Sequence, residues 1–168
     1  MKYQIEHDEM YKGMRCVALL GGHLGHRCGY VGVDKTHPLH GIEYSAEIPQ
    51  ALREKWTTIA ETTPVGKRGI FTLLLYDPKH PRVEAMFNVH GSLTYSGGKD
   101  TYPVPDSERW WFGFDCGHCD DAPDTEAMLR YGFIPNKFME NHGGTVRTLD
   151  YVIQECHNLA DQLLEVAK

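Results

Sequence analysis

The sequence predicts an α+β domain: a mainly antiparallel sheet with flanking helices, one of them a long amphipathic C-terminal helix. Three observations carry this. Short apolar and β-branched runs follow one another through hairpin-sized connections. Helical patterns stand apart from those runs instead of alternating with them, which favours α+β over a parallel α/β sheet. The chain from Thr148 to Ala167 repeats apolar residues at three- and four-residue steps, as one face of a helix requires. At 168 residues, positions 1–168 suit a single domain with a real core.

Taken in order, Arg15 to Leu20 and Arg27 to Val33 read as strands joined by a turn rich in glycine and histidine. His37-Pro38-Leu39-His40-Gly41 is a loop, because proline restrains the residue before it and glycine ends regular structure. Ile48 to Glu61 reads as a helix with Pro49 in its first turn and Leu52, Trp56 and Ile59 on one face. Thr62 to Gly66 breaks it. Gly69 to Tyr76 and Arg82 to His90 read as strands around a loop at Asp77 to Pro81. Leu93 to Tyr95 is a short strand and Arg109 to Phe114 a longer one. Asp124 caps a short helix, Thr125 to Tyr131, which Gly132 closes. In the final helix Leu149, Val152, Ile153, Cys156, Leu159, Ala160, Leu163 and Val166 form the apolar face.

Composition narrows the functional classes. A net charge of −6 argues against binding to long nucleic acid, which needs a positive face. The apolar runs are far shorter than the roughly 20 residues of a membrane span, and the polar N-terminus carries no signal-peptide pattern. No membrane partner is expected. Five cysteines, an odd number, suit a reduced cytoplasmic chain. Ten histidines are many for this length, and histidine is the side chain that titrates near neutrality.

Those histidines gather with acids and cysteines at the ends of apolar runs: His23 to Gly29 with His37 and His40, then Val89 to Tyr95, then Phe114 to Asp121. Four chemistries are open. Cys116-Gly117-His118-Cys119 has redox-motif spacing, but Asp115, Asp120 and Asp121 beside it disfavour a thiolate. Zinc is a possible cofactor through Cys28, Cys116, Cys119 and either His26 or His23, although the spacing is not that of a standard knuckle. An oxygen-rich metal site would use Asp115, His118, Asp120 and a distant histidine. The metal-free reading is preferred: His90 and His118 as the acid–base pair, with Asp115 orienting one of them. His26, Arg27, Tyr30, Lys35, His37, His40, Thr94, Tyr95 and Trp111 are the candidate ligand-binding residues, as pocket lining, anion partners and base-stacking rings. The mechanism expects the imidazoles of residues 26, 37, 40, 90 and 118 to share one hollow with Asp115.

Each feature has a structural alternative. A histidine beside a strand is often a hydrogen-bonded structural group. Trp110, Trp111, Phe112 and Phe114 suit a core, with only half of them facing one side. Ser92, Thr94 and Ser96 fit an alternating strand, and Asp120 and Asp121 fit a solvated loop. His7, His80, His142 and His157 read as surface residues.

The stretches Gly25-His26-Arg27-Cys28-Gly29-Tyr30-Val31-Gly32-Val33, His37-Pro38-Leu39-His40-Gly41, Val89-His90-Gly91-Ser92-Leu93-Thr94-Tyr95-Ser96-Gly97, Trp110-Trp111-Phe112-Gly113-Phe114-Asp115-Cys116-Gly117-His118 and Arg147-Thr148-Leu149-Asp150-Tyr151-Val152 resemble an uncharacterised family of small bacteriophage and prophage proteins. In that family pattern the position of Ser92 is usually glycine and that of Cys119 often alanine, which implies that Cys119 is dispensable. The pattern keeps His26, Cys28, His37, His40, His90, Asp115, Cys116 and His118. The resemblance implies a phage accessory protein in a bacterial cytoplasm, of a kind that often acts against host defence. The resulting expectation is a hydrolase of phosphodiester bonds in a small nucleotide-like ligand such as a cyclic oligonucleotide signal. The alternatives are a non-catalytic sponge for such a signal, in a homo-oligomer with sites at subunit interfaces, and a direct inhibitor of a host enzyme.

Overall fold

The structure is a computed structural model that describes residues 3–62, 77, 79–98, 102–137, 139 and 143–168. Strands Tyr3–Tyr11 (β1), Met14–Gly21 (β2), Arg27–Val33 (β3), Tyr95–Gly97 (β4) and Trp110–Asp115 (β5) form one sheet in the order β1-β2-β3-β5-β4. Every neighbouring pair is antiparallel. Asp121–Ala122 (β6) and Thr145–Val146 (β7) make a short parallel pair apart from the sheet. The helices are Arg53–Thr62 (α1), entered through a 3-10 turn at Gln50–Leu52, Thr125–Arg130 (α2) and Leu149–Ala167 (α3). The α+β class holds, with the long C-terminal helix in place. Among the described residues no helix is long and apolar enough to cross a membrane.

The sheet is buried on both sides, and β5 shows why. Its side chains alternate: Phe112 and Phe114 join the core beneath α3, while Trp111 joins Val17, Leu19, Tyr30 and Val104 on the opposite face. Helix α3 presses Val152, Cys156, Leu159, Ala160, Leu163 and Val166 onto the first face. It packs tightly at Gly29, where an added Cβ would fall 2.7 Å from Cys156 Sγ and 2.3 Å from Phe114 of β5. Its first turn is capped by Thr148, which accepts a hydrogen bond from the Tyr151 amide. Asp124 caps α2 in the same way through the Ala127 amide.

Three expectations change. Strand β1 was hidden because its middle, Glu6-His7-Asp8-Glu9, is all polar and breaks the alternation that marks a strand, which a sheet edge tolerates. Its register shifts between Ile5 and His7, and the intervening Glu6 turns toward β3. The Arg82 to His90 stretch is not a strand. It starts as a 3-10 turn, Val83–Met86, and then runs extended beside α3. There its backbone groups meet side chains of the helix: Gln162 accepts from the Asn88 amide, Asn158 and Gln162 donate to the Asn88 carbonyl, and Glu155 accepts from the His90 amide. A strand-like composition is satisfied here by a helix's polar edge. The short strand expected at Leu93 to Tyr95 begins at Tyr95 instead. The predicted strand Gly69 to Tyr76, most of the Thr62 to Gly66 break, the Ile59 side chain and His142 lie outside the described residues.

Candidate functional site

The loops after the 3-10 turn and after β5, together with β6 and the start of α3, bring five polar side chains to one place. Asp121 is the hub. Its Oδ2 lies 2.8 Å from His90 Nε2 and 3.5 Å from His118 Nδ1, and accepts a hydrogen bond from the His118 amide at 3.0 Å. Its Oδ1 accepts from Arg147 Nε at 2.7 Å. His90 Nδ1 lies 2.9 Å from the Tyr151 hydroxyl, so both imidazole nitrogens of His90 are engaged. The two rings stand edge to face with centroids 5.3 Å apart. The Arg147 guanidinium lies over the Tyr151 ring, 5.3 Å from its centroid.

Local backbone explains the convergence. Gly91 takes φ +67°, and a Cβ there would fall 1.9 Å from His118 Cε1. Only glycine lets the His118 ring rest on this turn. Tyr151 and Glu155 are one helical turn apart on α3 and therefore share the edge that faces His90. The β6–β7 pairing carries Arg147 to Asp121, and Arg27 donates to the Arg147 carbonyl at 2.9 Å.

Exposure separates the roles. Asp121 is 1% exposed, His90 12%, His118 22% and Arg147 27%. Burial works to raise the Asp121 carboxyl pKa, but hydrogen bonds from Arg147, His90 and the His118 amide outweigh it and hold it well below the usual carboxylate range. The hub is a carboxylate throughout the neutral range. Burial, reinforced by the Glu155 charge, raises the Tyr151 phenol, which stays protonated. The pair with Asp121 raises the Arg147 guanidinium. The arrangement therefore offers a fixed anion, a fixed cation, a protonated phenol and two imidazoles within reach of solvent.

The expected common hollow needs correction. His90 and His118 meet. His37 does not join them: its Nε2 donates to the Leu163 carbonyl, and its Nδ1 accepts from the Leu39 amide. Leu163 and Tyr151 are separated by about 18 Å along α3, so His37 sits at the far end of the helix. His40 lies beside the Trp110 ring at the start of β5. His26 borders the turn after β5, close to Gly117. Asp115 Oδ1 caps the turn by accepting from the Gly117 amide at 3.0 Å. The carboxylate that His90 and His118 share is Asp121, a residue expected to be a solvated loop charge.

The ligand-binding candidates are dispersed. The Arg27 guanidinium is buried and bound to Glu6 and Asp124. Tyr30 is buried and shares a hydroxyl–hydroxyl hydrogen bond with Tyr102, and Tyr95 packs edge-on against both rings. Trp111 is wholly buried. Lys35 pairs with Glu108 on the surface, and Thr94 is exposed with its amide bound to the Gly113 carbonyl. The zinc set Cys28, Cys116, Cys119 and His26 does not converge: among the described residues, the one metal-capable group is His90, His118 and Asp121. Cys28 and Cys116 face opposite sides of the sheet, and burial pushes the Cys28 thiol up to about 11 and Cys116 higher still. Cys119 is exposed.

Arg147, Tyr151, Glu155 and Asp121 are the site residues that sequence reasoning missed. Signals for them exist. Asp121 follows His118 at the three-residue spacing of a turn, and Arg147 and Tyr151 lie in the Arg147-Thr148-Leu149-Asp150-Tyr151-Val152 stretch already distinguished as a motif. Comparison of the chain with protein-family models, curated proteins and solved structures finds no match.

Proposed function

We propose that this protein hydrolyses phosphodiester bonds in a small nucleotide-type ligand, with cyclic oligonucleotide signals as the preferred class, as a phage accessory protein acting against host defence in the bacterial cytoplasm. The supporting observation is that one buried carboxylate, Asp121, gathers His90, His118 and Arg147. Arg147 spends Nε on Asp121 and leaves its Nη edge for a phosphate, the bidentate use to which a guanidinium is suited. Water attacks phosphorus, and the more exposed imidazole, His118, takes the water proton as the new P–O bond forms. The Tyr151 phenol gives its proton to the oxygen that leaves as the ester P–O bond breaks; the phenolate then regains a proton from solvent, His118 releases the proton it took from water, and His90, held by Asp121, keeps the phenol in place. The site is partly shielded from solvent, which strengthens the pull of Arg147 on the developing charge.

The test incubates the protein with a panel of linear and cyclic oligonucleotides, analysed before and after heat denaturation. Cleavage products are expected. His118→Ala should lower turnover by about 10²–10⁴-fold with an unchanged thermal midpoint. Recovery of intact ligand after denaturation would replace this reading with sequestration, and no effect on any nucleotide would remove it.

A further inference from the structure

We propose that His90 Nε2, His118 Nδ1 and Asp121 Oδ2 are the three protein ligands of a zinc-class divalent cation, with a fourth position open to water or a phosphate oxygen. The ion's use in catalysis rests on the hydrolytic reading above; its binding does not.

The geometry points there first. The three ligand atoms lie within 4.8 Å of one another, with Oδ2 at 2.8 Å from one nitrogen and 3.5 Å from the other. Ligands held at roughly 2.0–2.2 Å in a tetrahedron stand about 3.3 Å apart, so small ring rotations open the gap for an ion. Two imidazoles and one carboxylate with an open position are the donor set of catalytic zinc and of related first-row ions. His118 and Asp121 share one turn, and His90 reaches them from a separate segment, so no local spacing accounts for its joining them.

The surroundings supply independent support. Metal-binding imidazoles hold their second nitrogen in a hydrogen bond, and ligating carboxylates are themselves hydrogen-bonded. His90 Nδ1 meets the Tyr151 hydroxyl, and Asp121 Oδ1 meets Arg147. The His90 main chain is tied to Glu155, and the His118 ring is seated on Gly91 where no side chain fits. Glu155 adds a negative charge against that of Arg147, which keeps the pocket from being net positive toward an ion. With the ion bound, both imidazoles serve as ligands, so His118 no longer takes the water proton as in the metal-free route above, while Arg147 and Tyr151 keep their roles.

Untagged protein dialysed against a chelator and then titrated with Zn²⁺ alone, and with Co²⁺ alone, tests this. One equivalent per chain is expected, with the visible absorption of four-coordinate Co²⁺. His118→Ala and Asp121→Asn should lose saturable binding, Tyr151→Phe should weaken it by about 10–100-fold, and Cys119→Ser should leave it unchanged. Histidine ring NMR signals of the wild-type protein give a readout independent of variant folding: two rings should respond to zinc. Absence of stoichiometric binding, or binding that follows Cys119 or other histidines, overturns the proposal. Hydrolysis by protein that binds no metal would also overturn it while leaving the proposed function intact; zinc binding without hydrolysis would do the reverse.

Discussion

Ser92 has φ +97° and a buried hydroxyl that meets no hydrogen-bond partner among the described residues, in the turn that joins His90 to β4. Both features cost stability, and strain of this kind collects beside functional groups. Ser92→Gly should remove both and raise stability by about 1 kcal/mol after the extra backbone entropy of glycine, read as a higher urea midpoint. A lower midpoint would mean that the hydroxyl is satisfied in solution. His37 is the second residue with a definite consequence. Burial lowers its pKa below the ordinary 6.5, and Nδ1 already accepts a hydrogen bond from the Leu39 amide. The unfolded chain therefore takes up a proton here before the folded chain does. Stability is fully present above the ordinary histidine value and falls as pH drops below it toward the lowered folded value. Urea midpoints for wild type and His37→Asn between neutrality and that region should diverge less as pH falls; parallel curves would contradict the assignment.

At the scale of elements, α3 does two jobs with two faces. Its apolar face closes the sheet. Its polar edge holds the Asn88 to His90 segment: Glu155, Asn158 and Gln162 bond its backbone, and Tyr151 meets the His90 ring. That edge sets where His90 stands. Gln162→Ala removes both the acceptor for the Asn88 amide and one donor to its carbonyl, so the segment should loosen without loss of the core. The expected outcome is faster amide exchange at Asn88 and His90 with a stability loss of about 1–3 kcal/mol, and unchanged exchange in β2 and β3 relative to global stability. The apolar periodicity of α3 was fully legible in the sequence. The clamp was not, because a polar residue on a helix edge looks the same whether it faces water or a backbone.

Across the whole molecule, Arg27 links what the site requires. It reaches Glu6 in the irregularity of β1, Asp124 at the cap of α2, and the Arg147 carbonyl just before α3. Its side chain is 5% exposed and that of Glu6 2%. Breaking such a pair leaves an uncompensated buried charge, so Arg27→Met should cost about 3–5 kcal/mol in a urea titration. Adding Glu6→Gln to that variant should recover part of the loss. An unchanged midpoint in Arg27→Met would show that the link carries no stability. Arg27 thus serves the site by placing Arg147, not by touching a ligand.

The sequence alone determined the class of fold, β2, β3, β5, the capped α2 and α3, because periodicity, caps and turn residues are local signals. It also singled out His90 and His118 and the glycine turns that seat them. It did not determine which carboxylate they share, or that His37 lies at the far end of α3, since those are contacts between residues far apart in the chain. Charge does not reveal burial: Asp120 and Asp121 read alike in sequence, and only the folded chain puts one in solvent and makes the other the hub of the site.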